Sequence, residues 1–264
     1  MRRLIITACL ILVIAGVGLA EVDTDMDFLP QSVATSTNVS AGFVNPAGLG
    51  YGFVMALRYL HSYYDSTFKG DNGLILATRG NLVSIQWLKH TNGISRRKFL
   101  LAGGKRIFPG IYWGISFAWF SSSNDFYKKK KIWKLGFLYY PDSPFSAGFV
   151  IDDLNAPTFN ERKLTRLYTL GAAVHLANDR AVFSIDSSLR EKGDWNEIES
   201  MFRLEFKASN NICLVTHYRT EGFIQVGLTF QFNHIGLGFG NRFTEKDYQG
   251  GNFFYNQEPM KSEY

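Results

Sequence analysis

Ile111-Tyr112-Trp113-Gly114-Ile115-Ser116-Phe117-Ala118-Trp119 is the stretch on which the fold turns. Its odd positions are all large and apolar, whereas the even ones are mostly small or weakly polar. Successive side chains of a strand point to opposite faces, so this alternation describes a strand with one greasy face. The same rhythm recurs at Trp133, Leu135, Phe137, Tyr139 and at Tyr168, Leu170, Ala172, Val174, Leu176. It returns at Ile224, Val226, Leu228, Phe230, whose alternates are Gln225, Gly227, Thr229 and Gln231. A chain built almost wholly of such blocks is either a soluble β-sandwich or a membrane β-barrel.

Composition favours the second. Aromatics make up 16% of the 264 residues, which also include 25 glycines. Past the first twenty residues no apolar block approaches the length of a membrane helix, so helical spanning is excluded. Strands remain. In lipid every backbone N–H and C=O must be paired within the protein, and a closed barrel does this with blocks of about 10 residues that are only half apolar. A sandwich would bring the apolar faces into one core and leave polar outer faces. Here the alternates are largely Gly, Ala and Ser, which suit a crowded lumen better.

The N-terminus reads Met1-Arg2-Arg3, then an apolar run from Leu4 to Leu19 ending in Gly18-Leu19-Ala20. A basic start, an apolar middle and small residues at the cut site predict a secretory signal peptide over residues 1–20, cleaved after Ala20. The alternative is an uncleaved anchor. Cleavage would remove Cys9 and leave Cys213 alone, so no internal disulfide can form. Of the 28 Lys and Arg residues, Arg2 and Arg3 lie in this signal, leaving 26 against 23 Asp and Glu. That balance is too weak to argue for nucleic acid.

Strands are expected near 51–62, 72–79, 81–90, 97–107, 110–121, 131–140, 144–153, 164–177, 180–189, 199–208, 210–219, 222–232 and 234–243. Single-chain bacterial barrels favour an even count, so either a further strand near 252–256 or one merged pair is expected, giving fourteen or twelve. Tight connections such as Phe108-Pro109-Gly110 and Asn178-Asp179 roughly alternate with longer charged ones, such as Ser121 to Lys131 and Leu154 to Lys163. Short turns on one rim and long loops on the other are the outer-membrane pattern. Aromatics near block ends, among them Tyr59, Trp87, Trp119, Trp133 and Tyr139, suit girdles at the headgroup level.

Residues 21–50 lack the period of two, being acidic at first and then rich in Ser, Thr, Ala and Gly. They cannot build a core of their own, so the expected place for them is the lumen, as a plug ahead of a barrel over residues 51–257 and a tail over 258–264. The hinge is Val44-Asn45-Pro46-Ala47-Gly48-Leu49-Gly50: Pro46 fixes φ, and the glycines relieve crowding where the chain enters the wall. This arrangement resembles the FadL-like and PorV-like outer-membrane barrels. It is still more similar to the barrel that in some bacteria precedes an SppA-type signal-peptide-peptidase domain, through Val44 to Gly50, Tyr59 to Tyr63, Val150 to Pro157 and His234 to Gly240. The chain stops before any such protease domain. The resemblance implies an outer-membrane location, contact with lipid, and one of two roles. One is a channel for small hydrophobic molecules; the other is a barrel serving as a platform for a secretion or protease partner.

Nothing predicts an enzyme or a cofactor. His61, His90, His175, His217 and His234 are scattered one per block, with no metal-ligand spacing, and there is no Gly-x-Ser-x-Gly elbow or phosphate loop. The run Lys128 to Lys131 is read as a solvated loop tip. Arg203, Glu205 and Lys207 are the most informative charges, because they alternate with Phe202, Leu204 and Phe206 and so share the face opposite the apolar one. A charge facing lipid at the midplane costs about 2–4 kcal/mol, so these three are expected in the lumen. Arg58, Lys98 and Arg106 are candidates to join them. There they either fill a narrow barrel as a salt-bridge network or act as a selectivity filter.

Overall fold

The computed structural model describes residues 31–52, 55–63, 70–89, 95–122, 130–159, 162–220, 222–232, 235–244 and 248–257. The signal peptide, residues 21–30, His90, His234, residues 123–129 of the basic run and its surroundings, and the tail 258–264 lie outside these.

Fourteen antiparallel strands form one closed ring. In chain order they are β1 (Met55–Tyr63), β2 (Gly70–Thr78), β3 (Asn81–Lys89), β4 (Ser95–Phe108), β5 (Ile111–Ser122), β6 (Lys131–Tyr139) and β7 (Phe145–Asp152). A two-residue hairpin follows, β8 (Thr158–Phe159) with β9 (Arg162–Lys163). The wall resumes with β10 (Leu167–Leu176), β11 (Ala181–Arg190), β12 (Glu199–Ser209), β13 (Ile212–Arg219), β14 (Phe223–Phe232), β15 (Ile235–Thr244) and β16 (Tyr248–Gln257). Each wall strand pairs with its sequence neighbour, β10 pairing with β7 across the hairpin. The count is therefore fourteen: β16 pairs with both β15 and β1, and seven residue pairs from Leu57↔Gln257 to Tyr63↔Gly251 shut the seam. No edge is left, which is the condition for placing strands in hydrocarbon.

Several boundaries differ from the sequence reading, and three of the differences have a visible cause. The first strand begins at Met55 rather than Tyr51, because Pro46–Tyr51 winds into a 3-10 turn and Gly52, at φ 113°, swings the chain into the wall. The strand expected from 164 begins at Leu167, since Leu164 belongs to the long loop and packs inward against the apolar cluster in the lumen. The β4 strand extends to Phe108, with a bulge between Arg106 and Phe108 absorbing the extra residue opposite β5.

The apolar alternates face outward. Leu76, Val83, Leu101, Leu170, Phe183 and Leu204 are exposed on a belt around the ring. In water this surface would be an aggregation hazard; against lipid tails it is solvated. Outward aromatics gather toward both rims, with Trp87, Trp119 and Trp133 at the loop end and Phe108, Tyr139 and Phe145 at the turn end. Neighbouring rings meet across strands, Phe99 stacked on Trp119 at 5.1 Å and Phe117 tilted against Trp133 at 4.6 Å. A single closed ring with this outer face excludes the sandwich. The inward residues do not meet across an empty bore, because residues 31–51 occupy part of it.

Candidate functional site

Residues 31–51 form no regular core, only a four-residue helix, α1 (Ala41–Val44), and the 3-10 turn Pro46–Tyr51. Val33, Ala34, Val39, Ala41, Ala47 and Leu49 are nevertheless buried. Their burial comes from the wall. Val39, Ala41 and Leu49 pack against inward Leu60, Ile75, Leu82, Leu100 and Phe120, which come from β1 to β5. One side of the lumen is thus a hydrophobic core shared by the wall and the segment.

Asn45 is the central tie. Its Oδ1 accepts from the Ala47 N–H at 3.2 Å, capping the 3-10 turn, with Pro46 at the first position where no N–H is needed. Its Nδ2 donates to the Val33 carbonyl at 2.7 Å and to the Phe137 carbonyl of β6 at 2.9 Å. One side chain thereby satisfies two stretches of the segment and a carbonyl of the wall. Gly48 is folded so tightly that an added Cβ would lie 1.5 Å from the Ser36 carbonyl oxygen.

Three wall side chains complete the attachment. Lys134 of β6 donates to the Phe43 carbonyl at the end of α1 and is held by Asp152 of β7 at 2.7 Å. Arg58 of β1 donates to Ser40 Oγ at 2.6 Å. Asp186 of β11 accepts from Ser32 Oγ at 2.6 Å and from the Val33 N–H at 3.0 Å. Bonds of this kind to a buried ionised group are among the stronger ones in proteins.

The segment lies so near the wall because the wall has no side chains beneath it. Gly104, Gly114, Gly136, Gly148 and Gly171 come from β4, β5, β6, β7 and β10, and all face inward. Gly104 is register-paired with Gly114, Gly114 with Gly136, and Gly148 with Gly171. A Cβ at Gly114 would stand 2.3 Å from the Pro46 carbonyl carbon, and one at Gly148 would stand 2.1 Å from the Val33 carbonyl oxygen. The glycines form a track along which the backbone of residues 33–50 is laid.

Of the residues singled out from sequence, Asn45 and Pro46 sit on this track, and Ala47, Gly48 and Leu49 are buried beside it. Arg203 and Glu205 lie together on the far side of the lumen, with Arg203 Nη2 donating to Glu205 Oε2 at 2.7 Å, while Lys207 is exposed toward the turn rim. Arg58 and Lys98 are buried, Arg58 against the segment and Lys98 with its Nζ 5.7 Å from the Phe120 ring centroid. Arg106 is exposed at the turn rim. Among the described residues no three His, Cys, Asp or Glu side chains are grouped so as to hold a metal. The histidines serve locally: His175 bonds Ser146 Oγ at 3.0 Å and Asp179 at 2.8 Å, and His61 bonds Asn72.

At the turn rim, where the segment leaves the lumen, Tyr51 packs edge-on against Tyr112 and Tyr140 at 5.8 and 4.8 Å. Burial, reinforced by neighbouring Tyr112 and the Asp142 and Asp179 carboxylates, raises the Tyr51 phenol above its ordinary pKa. Burial and Asp179 push Tyr140 the same way. Both phenols therefore stay neutral and act as an aromatic collar.

Sequence reasoning missed Lys134, Asp186 and the glycine track. The glycines were visible as inward alternates, but their alignment across five strands needs the strand pairing.

A closed ring, an apolar outer belt and a lumen partly filled by the protein's own chain define an outer-membrane-type β-barrel. Among solved structures the chain is similar to one described as the CymD monoaromatic hydrocarbon channel, at 9% identity and a TM-score of 0.50, covering 86% of this chain and 94% of that one. A mutant of the Rh. blastica porin follows at 9% identity and TM-score 0.47, covering 78% and 99%. The KdgM porin follows at 10% and 0.43, covering 78% and 98%. These likenesses are of fold alone, and the first carries them. No protein-family model and no curated protein sequence matches the chain.

Proposed function

We propose that the protein is an outer-membrane channel for small hydrophobic molecules, with residues 21–50 as its plug. One observation carries the reading: the inner face under the segment is itself apolar. Leu60, Ile75, Leu82 and Leu100 share one buried cluster with Val39, Ala41 and Leu49 of the segment. A segment that moves aside uncovers a greasy strip along the bore, on which an apolar solute can travel without entering water. The Asn45-Pro46 hinge supports movement of the arm before it while the 3-10 turn stays seated. A plug ahead of this motif is also what the resemblance to FadL-like and PorV-like barrels implies.

The attachments support a second reading, a permanently closed barrel that is a platform for a secretion or protease partner. Asn45, Lys134, Arg58 and Asp186 together hold the segment at four places. Deleting residues 21–43 from the mature chain separates the two. A channel predicts a folded barrel, shown by faster gel migration when unboiled, with raised uptake of an apolar dye into proteoliposomes. Unchanged uptake by a correctly inserted variant would move the assignment to the platform.

A further inference from the structure

The far side of the lumen, on β11 to β14, is built differently. Ser184, Arg203, His217 and Gln225 stand at one level, each register-paired with the next: Ser184↔Arg203, Arg203↔His217, His217↔Gln225. Directly paired side chains on one face lie close enough to act together. All four are buried, with Ser184 and Gln225 1% exposed and Arg203 5%. The adjoining inward positions Val182, Val215, Gly227 and Asp186 are buried as well, and exposure begins further out, at Glu205 and Thr229 toward the turn rim and at Ser188 and Arg219 toward the loops. The row lies in the middle of this buried band and is its most polar level. It is not closed by internal pairing. Ser184 Oγ, Arg203 Nε and Gln225 Oε1, from three strands, are buried without a hydrogen-bond partner in the protein. Buried polar atoms are nearly always satisfied, so three at one level mark a place where something polar fits.

The charge of the surroundings gives its sign. Residues 31–52 carry no charge, so among the described residues the charges in the bore come from the wall. On β1 to β7 the inward cations Arg58, Arg96, Lys98 and Lys134 face only Asp71 and Asp152. On β11 to β14, Arg190, Arg203, Lys207 and Arg219 share the inward phase with Asp186, Glu199 and Glu205, and Arg190 is paired with Asp153. Asp186 is already turned to the Ser32 hydroxyl and Val33 N–H, and Glu205 to Arg203. Among the described side chains the positive excess lies on β1 to β7, while on β11 to β14 two of the carboxylates are already engaged, and a charged bore with low-dielectric walls concentrates the opposite ion.

We propose that the row Ser184–Arg203–His217–Gln225 is an anion-preferring constriction, a polar path separate from the apolar strip under the plug. Small anions meet donors from Arg203 and Ser184 there, while cations are repelled along the bore. The inference does not depend on movement of the plug, so it stands or falls apart from the hydrophobic-channel reading.

The test is the reversal potential of the intact mature protein, refolded into a planar bilayer under a KCl gradient. The expected result is a chloride-to-potassium permeability ratio above unity. In Arg203→Gln the ratio should fall toward unity, and in Gln225→Leu the conductance should drop. Because Arg203→Gln leaves Glu205 without its partner, Arg203→Gln/Glu205→Gln serves as the folded counterpart, its insertion checked by gel mobility. It should lose the preference as well. Preference for potassium, or no ion current through inserted wild-type protein, would overturn the proposal. So would a ratio that moves in Lys207→Gln but not in either Arg203 variant, since selectivity would then reside at the rim and the row would be polar packing.

Discussion

The two sides of the lumen solve the same problem in opposite ways. Under the segment, β4 to β10 present glycines and the packing is backbone against backbone, with Asn45 bonded to both the segment and the wall, although Thr35 Oγ1 has no partner. Across the bore, β11 to β14 present long polar side chains that reach inward and leave atoms of the polar row unassigned. One side is filled by another piece of chain, the other by its own side chains. A barrel interior of this size is therefore not a uniform surface. Where a segment is seated the wall must be emptied of side chains first, and where none is seated the side chains set what can pass.

The comparison is most easily broken at the glycine track. Gly114→Val places atoms where the Pro46 backbone lies, and neither backbone has room to yield. Overpacking of this kind costs about 3 kcal/mol, and the segment should be expelled, seen as new protease cleavage within residues 31–50 of the inserted protein. Gly103→Ala, one residue from the track on the opposite face, has its nearest neighbour 3.8 Å away and should leave the cleavage pattern as it is. Similar cleavage in both variants would mean that the glycines do not seat the segment.

A smaller effect is expected at Asn45. Asn45→Ala leaves the Phe137 and Val33 carbonyls without this donor and uncaps the 3-10 turn. The expected loss is about 1–3 kcal/mol in urea unfolding of the detergent-solubilised barrel, because buried acceptors are left unsatisfied. A midpoint unchanged from wild type would show that the motif is not an anchor.

How much of this could be read beforehand differs between the two sides. The strands were legible because their faces meet lipid and lumen, which imposes the period of two at places such as Ile111 to Trp119. Arg203 and Glu205 were legible by the same rule, since a phase shared with neither Phe202 nor Leu204 leaves only the lumen. The attachment of the segment was not. Lys134 alternates like any inward residue, and nothing local says that it reaches the Phe43 carbonyl. Asp186 looked like one polar alternate among several. Its role depends on β11 standing opposite Ser32, 154 residues away, which follows from ring closure and register rather than from any local pattern. The start of β1 was misplaced because the 3-10 turn takes up residues whose composition suits a strand.

The finest comparison uses two serines. Ser32→Ala removes a hydroxyl that donates to Asp186 and accepts from the Ala34 N–H, and should cost about 1–2 kcal/mol. Ser184→Ala removes one with no partner in the protein, and should change stability by no more than about 0.5 kcal/mol. Paired urea titrations of the two variants test this, and equal losses would erase the distinction between an assigned and an unassigned side.

The seam between β1 and β16 has a consequence for assembly. It joins residues as far apart as Leu57 and Gln257, so it is the pairing with the greatest loop-closure cost, while every other wall pair is a neighbour in sequence. Hairpins therefore accumulate into an open curved sheet, and the ends meet late. Residues 31–51 precede β1 directly and lie on strands from the middle of that sheet. They must be in place while the cradle is still open, because threading a finished cylinder from one rim would drag the Ser32 and Asn45 side chains past every contact they finally make. The segment is then a former around which the sheet is rolled.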